Sequence, residues 1–455
     1  MNDSAHSAKN FDPEANRKYE PETDTVSKAT VHAVGQDSPW EVGAHMIAAL
    51  DNAFILGYPY LIMAFLGWGA GSTLFILFGF LSFYCNCCLC RLHGYGGHRN
   101  IRFRDLAGSV FGKFGYYLTF TLQWLNLLCA NVGLVVLCGQ SLKGVFELYD
   151  SEKYFSLAEW IVVAGAVIGL FAVSVPNLHL LRVWSSLSCL LVLIFSIITI
   201  AIACHDGHDN YNAETLETGP KDYSVAGTSA DKAFNALGSL GTMAFAYNTV
   251  ILPEIQATVR APAARNMITK TLPMMYLIGT LPFLLISFVG YWAYGNEVGY
   301  NILYSNSGPT WAIALAYVAA AAQIVVSFHI YACPIYETMD TAWGRKQEGT
   351  WSIFNFSERF VTRVIYMALT TFVAALLPFF GDFIALTGSL SALPLDFVLV
   401  LAMTLKVYGK STPLWLNIIN GTLCVLLFFV TCVSSISSVR YIVVDSVNYH
   451  VFANL

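Results

Sequence analysis

The sequence predicts an all-α polytopic membrane protein of eleven transmembrane helices, arranged as a five-plus-five inverted repeat with one extra C-terminal helix. Three observations carry that prediction: a composition too apolar for water, a series of apolar runs of spanning length, and two interrupted runs standing first and sixth in it. Of the 455 residues, 56% are hydrophobic and only 12% charged, and the mean hydropathy is +0.58. Soluble domains carry about 25% charge. The 24 Lys and Arg and 29 Asp and Glu are too few to cover the two or three soluble domains that a chain of this length would form. The net charge of -5 leaves no basic face that tracks phosphates, which excludes nucleic acid as a partner and leaves the lipid bilayer.

Residues 1–38 are polar, with seven acidic and four basic side chains, and are expected to form a disordered cytoplasmic tail. Residues 39–455 read as one transmembrane domain. Its apolar stretches fall at about 42–66, 69–91, 115–142, 157–177 and 182–204, then 233–255, 270–293, 310–336, 359–380 and 383–406, and finally 414–440. The first five make repeat one, about 42–204, the next five repeat two, about 233–406, and the eleventh stands alone. With the N-terminus in the cytoplasm, the inward loops hold fifteen Lys and Arg, from Arg91 to Lys410, against four in the outward loops. That bias supports the count, and an odd number of spans puts the C-terminus outside.

The first span reads Leu50-Asp51-Asn52-Ala53-Phe54-Ile55-Leu56-Gly57-Tyr58-Pro59, and the sixth Phe245-Ala246-Tyr247-Asn248-Thr249-Val250-Ile251-Leu252-Pro253-Glu254. Each places polar residues and a helix-breaking proline in mid-membrane, where freed backbone groups need partners. In an inverted repeat the two breaks face each other at the midplane. Half-helix N-termini then offer N–H groups to an anion, and half-helix C-termini offer carbonyls to a cation, which suits a zwitterion. Asn52, Ala53, Phe54, Leu56, Gly57, Tyr58, Phe245, Ala246, Tyr247 and Asn248 are therefore candidate binding residues.

The third span adds Gln123, Trp124, Asn126 and Asn131, and the eighth adds Gln323 and Ser327; of these, Trp124 and Asn131 join the candidate binding residues. Phe54, Trp124, Phe245 and Tyr247 are candidate aromatic walls for a substituted ammonium. Asp51, Glu254, His329, Glu337, Asp382 and Asp396 are the ionisable residues inside the membrane, each costing about 2.5 to 3.5 kcal/mol at a helix centre. Asp51 and Glu254 lie on the broken spans and lead the candidates for proton coupling or gating. Glu254 reads equally as a cap for freed N–H groups or a partner of Arg260. His329 and Glu337, two turns apart, read as a gate or core pairing, and Asp382 as an N-cap.

Cys85, Cys87, Cys88 and Cys90 fan around one helix end, which suits apolar filler or palmitoylation better than the paired spacing of a metal site. No metal or other cofactor is expected. The ten histidines show no H-E-x-x-H or H-x-x-E-H spacing, so nothing marks an enzyme.

The string Leu252-Pro253-Glu254-Ile255-Gln256-Ala257-Thr258-Val259-Arg260 resembles the plant proline transporter branch of the amino acid/auxin permease family. So do Gly67-Trp68, Ile101-Arg102-Phe103-Arg104-Asp105-Leu106-Ala107-Gly108, Gly290-Tyr291-Trp292-Ala293-Tyr294-Gly295 and Leu377-Pro378-Phe379-Phe380-Gly381-Asp382-Phe383. The likeness runs in order over about residues 38–455, with Pro59 standing where that branch often has Ser. It implies a LeuT-like (APC) fold and a plasma-membrane symporter. That symporter would use the proton as coupling ion and import proline and the compatible solutes glycine betaine and 4-aminobutyrate by alternating access. A monomer would suffice. Related branches of the family imply an alternative, a broader-range amino acid or auxin symporter.

Overall fold

The computed structural model describes residues 34–150, 155–175, 181–213, 221–225, 227–345, 352–376 and 380–446. The described residues form an all-helical bundle. Its helices are α1 (Pro39–Leu50), α2 (Pro59–Leu92), α3 (Phe103–Tyr149), α4 (Leu157–Ser174), α5 (Arg182–Ala213) and α6 (Ser229–Ala246). They continue with α7 (Leu252–Thr258), α8 (Ala263–Glu297), α9 (Thr310–Trp343), α10 (Ile353–Leu376), α11 (Gly381–Tyr408) and α12 (Leu414–Val444). Nine of them, all but α1, α6 and α7, are long and apolar enough to cross a bilayer. The other two expected spans, 42–66 and 233–255, fall short as single helices because each is broken in the middle. The first of these stretches is represented by α1 with the opening turns of α2, and the other by α6 with α7.

Local chemistry accounts for the starts and turns. Ser38 and Glu41, Ser156 and Glu159, and Thr228 and Asp231 form reciprocal caps that open α1, α4 and α6. Within α2 the helix kinks at Gly67, whose φ of +70° favours glycine, and this separates the last turns of the first expected span from the second. Gly112, at φ +72°, likewise splits a short helix from the spanning part of α3.

Burial sorts the bundle into layers. In α3, 83% of the most apolar window is buried inside the protein, in α9 and α11 78%, and in α12 only 22%. The first three therefore form the scaffold around the breaks, and α12 lies at the lipid-facing rim. Cys85, Cys88 and Cys90 are buried and Cys87 half-buried, so most of the cysteine cluster serves as filler between helices. Asp382 stands in the first turn of the α11 segment, where a carboxylate complements the helix dipole.

The tail reading needs one correction, at residues 34–38; residues 1–33 lie outside the described set. Gly35 N–H donates to the Ala257 carbonyl at 3.1 Å, Asp37 N–H to Thr258 at 2.9 Å, and Arg260 N–H to the Asp37 carbonyl at 3.0 Å. Arg99 adds Nη1 bonds to the carbonyls of Ala257 and Val259 at 3.2 and 3.0 Å. The chain before α1 is ordered because it satisfies the carbonyls left open at the end of α7.

Candidate functional site

The first break comprises Asp51 and Asn52, between α1 and a short 3-10 turn, Ala53–Gly57. Asn52 is its internal brace: Oδ1 accepts from Phe54 N–H at 3.0 Å and Nδ2 donates to the Ala49 carbonyl at 2.9 Å. The remaining freed groups are taken up by one face of α9. Gln323 accepts the Ala53 N–H at 3.2 Å and donates to the Asp51 carbonyl at 3.1 Å. Ser327 donates to the Ala48 carbonyl at 2.9 Å, and Tyr331 to Ala49 at 3.0 Å. Residues 323, 327 and 331 recur every four positions, so a single helical stripe holds the break.

The second break, from Tyr247 to Ile251, lies between α6 and α7. Asn248 folds onto its own segment, accepting Val250 N–H at 3.2 Å, and donates to Asn126 at 2.7 Å. Asn126 in turn donates to Ser391 of α11 at 2.9 Å. Thr249 gives its N–H to Asp396 at 2.7 Å and its hydroxyl to Asn86 at 2.8 Å. Gln123 donates to the Val250 carbonyl at 3.2 Å and to Glu254 at 2.7 Å.

The breaks meet through rings. Phe54 packs edge-on against Phe245 with centroids 4.9 Å apart. Tyr58 and Tyr247 both pack against Phe75 and Phe283, at 5.3 to 6.1 Å. Ala53, Phe54, Leu56, Tyr58, Phe245, Ala246, Tyr247 and Asn248 are all buried, as are Asn52 and Gly57. Of the twelve candidate binding residues, Phe54, Tyr58, Phe245 and Tyr247 thus meet through rings, and the other six on the broken segments are buried next to them in the chain.

The remaining two candidates do not join them. Asn131 points away from the breaks and donates to the Tyr366 hydroxyl of α10 at 2.8 Å. Trp124 packs at a tilt against Phe120, with ring centroids 5.3 Å apart, and lines a small cavity with Arg102, Arg104, Gln123, Glu254 and Glu337. Gln123, its neighbour in sequence, links that cavity to the second break. His329 packs between the rings of Phe171 and Tyr336, at 5.7 and 5.6 Å, and does not meet Glu337. Glu337 instead forms a buried two-pronged ion pair with Arg102, the Nε contact being 2.7 Å. Glu254 does not pair with Arg260, which binds the Gln36 carbonyl. It accepts the Phe103 N–H at the start of α3, at 3.2 Å, and its Oε2 has no partner. Asp51 is 1% exposed, with neither carboxylate oxygen hydrogen-bonded.

Sequence reasoning gave no role to Tyr331, Asn86, Phe75 or Phe283. Asp396 it recognised only as an intramembrane charge. Tyr331 was within reach, since it continues the spacing of Gln323 and Ser327.

Among the described residues no group of three or more His, Cys, Asp or Glu is placed to hold a metal ion. Residues 35–443 match the family described as transmembrane amino acid transporter protein. GABA transporter 1 of Arabidopsis thaliana is 30% identical over 431 residues, covering 91% of this chain and 93% of its own. Lysine histidine transporter-like 1 and amino acid permease 8 of the same plant are 28% and 25% identical, each over 91% of this chain and 90% and 93% of their own. Two solved structures share the fold. MhsT in complex with L-phenylalanine has a TM-score of 0.53, at 11% identity, covering 90% of this chain and 100% of that one. A Na+-coupled sialic acid symporter has a TM-score of 0.54, at 10% identity and 92% coverage of both. The chain is a polytopic membrane protein of LeuT-like fold and not an enzyme, and it belongs to the transmembrane amino acid transporter family.

Proposed function

We propose that this protein is a proton-coupled symporter that imports a small zwitterionic solute by alternating access, with proline, glycine betaine and 4-aminobutyrate as its solutes. The observation that carries the reading is the meeting of two unwound segments at buried Phe54 and Phe245, with the carboxylates of Asp51 on the first segment and Asp396 against the second. Such a site suits a ligand whose own charges are internal and whose ammonium faces rings. Likeness to a GABA transporter supports a short zwitterion. The proline-branch strings support proline within that class.

Asp51 and Glu254 are the coupling candidates on the broken helices, both buried and both with a carboxylate oxygen lacking a hydrogen-bond partner. Arg102 and Glu337 pair within the cavity that Glu254 also lines, and we assign that pair the role of a cytoplasmic gate. The basic loops support an N-in, C-out arrangement of eleven spans; the family resemblance supports the plasma membrane as its site, with a monomer sufficient for transport and the proton in place of any cofactor. A broader amino acid range is the second reading, favoured by likeness to a lysine histidine transporter-like protein and an amino acid permease. Electrophysiology in cells lacking endogenous uptake tests both. Millimolar proline, betaine or 4-aminobutyrate evokes an inward current that grows in mild acid. Absence of current and of labelled uptake refutes transport, and displacement by histidine, lysine or auxin favours the broader range.

A further inference from the structure

Asp396 lies in the π-wound stretch of α11, Gly388–Leu399, two residues beyond Pro394, and is 1% exposed. Its Oδ2 accepts the N–H of Thr249 in the middle of the second break, at 2.7 Å. Its Oδ1 is buried without a hydrogen-bond partner. Among the described residues, Tyr331 of α9 and Cys85 of α2 act on it electrostatically, and Cys424 of α12 acts on Cys85 in turn. A buried carboxylate in this setting does two different things in its two forms. The anion accepts an N–H strongly, whereas the acid accepts weakly and carries an O–H of its own to place.

The surroundings transmit that difference. A Cβ on Gly388 would fall 1.8 Å from the Gly241 carbonyl oxygen, so α11 and α6 touch backbone to backbone six residues before Tyr247, where the break opens. Tyr331, on the other side, donates to the Ala49 carbonyl of α1 at 3.0 Å, which brings the first break within one side chain of the same carboxylate.

We propose that Asp396 is a proton-responsive positioning residue: as the anion it holds Thr249 and the winding of residues 247–251, and as the acid it releases them, letting α7 move relative to α6. The inference rests on proton-coupled transport, and it gives the second break a carboxylate that lies on neither broken helix.

The test uses full-length protein in liposomes with labelled proline and 4-aminobutyrate as probes. Uptake under an inward proton gradient is compared with counterflow at equal pH. Asp396→Asn is a permanently neutral stand-in for the acid and does not titrate. Counterflow is expected to persist while the acid stimulation of uptake, up to about tenfold per pH unit for one titrating group, disappears. Asp396→Glu is expected to restore it. The proposal is overturned if D396N keeps the wild-type pH dependence. It is overturned equally if D396N and D396E both abolish counterflow along with uptake, which marks a merely structural role. A wild-type protein that moves neither probe in either assay refutes the transport reading itself.

Discussion

Replacing Gln323 by Leu removes a side chain from another helix that bonds to the backbone on both sides of Asn52 in the first break. Its Oε1 serves the Ala53 N–H, and its Nε2 faces three acceptors, the Asp51 carbonyl at 3.1 Å, Ser327 at 2.6 Å and Ser188 at 3.2 Å. An amide nitrogen has two hydrogens, so three bonds in all are made at a time. Leu fills a similar volume and makes none of them. Interhelical hydrogen bonds in membrane proteins average about 0.6 kcal/mol each and reach about 1.7, so the loss is about 2 kcal/mol and at most about 5. Two kcal/mol is a factor of about 30 in an equilibrium constant. If the break is the binding site, that factor falls on solute affinity, because the bound geometry of residues 51–54 is what Gln323 maintains.

The assay is equilibrium binding of labelled solute to purified protein, with Gln323→Glu as the partial control that keeps an acceptor for Ala53. The expected order of affinity is wild type, then Q323E, then Q323L. An affinity for Q323L within about threefold of wild type, less than 0.7 kcal/mol, refutes the claim that α9 holds the break for binding.

Three further outcomes follow from single contacts. Gly388→Ala inserts a methyl group where only 1.8 Å separates it from the Gly241 carbonyl, so it is expected to abolish transport while Ala at Gly421, with open space around it, leaves uptake unchanged. Arg102 and Glu337 form a buried pair whose side chains are 10% and 5% exposed. Removing one partner is expected to destabilise the protein by about 3–5 kcal/mol, and the double change R102M/E337M by less than either single one, as thermal unfolding in detergent reads out; additive losses would show that the two side chains act separately. At the start of α6 the Thr228 hydroxyl, with Arg440, holds the Asp231 carboxyl below its ordinary range. A depressed folded value stabilises above the unfolded one and is lost as pH falls through it. Thr228→Ala is therefore expected to lower the melting temperature at neutral pH, with the gap to wild type closing below about pH 4; a gap that persists in acid contradicts the charge-linked cap.

The breaks themselves were legible because their causes are local: a proline, a glycine and an amide within one apolar run announce an interrupted helix without reference to anything else. Which side chains face the breaks was legible only in part, and helical geometry says why. Asn131 follows Asn126 by five residues, about 140° further round α3, so when Asn126 faces Asn248 the later amide must face α10, where Tyr366 receives it. Trp124 follows Gln123 by one residue, about 100°, which turns it from the second break into the cavity. His329 follows Ser327 by about 200° and so leaves the stripe that holds the first break, a stripe that Tyr331 rejoins. Those three placements follow from the 3.6-residue period once one contact on each helix is known. Asp396 is a different case. Nothing near it in the chain distinguishes it from Asp382, and its meeting with Thr249 depends on how closely α11 approaches α6, which two glycines 147 residues apart permit by having no side chains. The α11 contact among those that hold the second break is thus permitted by absences at Gly241 and Gly388, and a residue-by-residue search for polar groups passes over both.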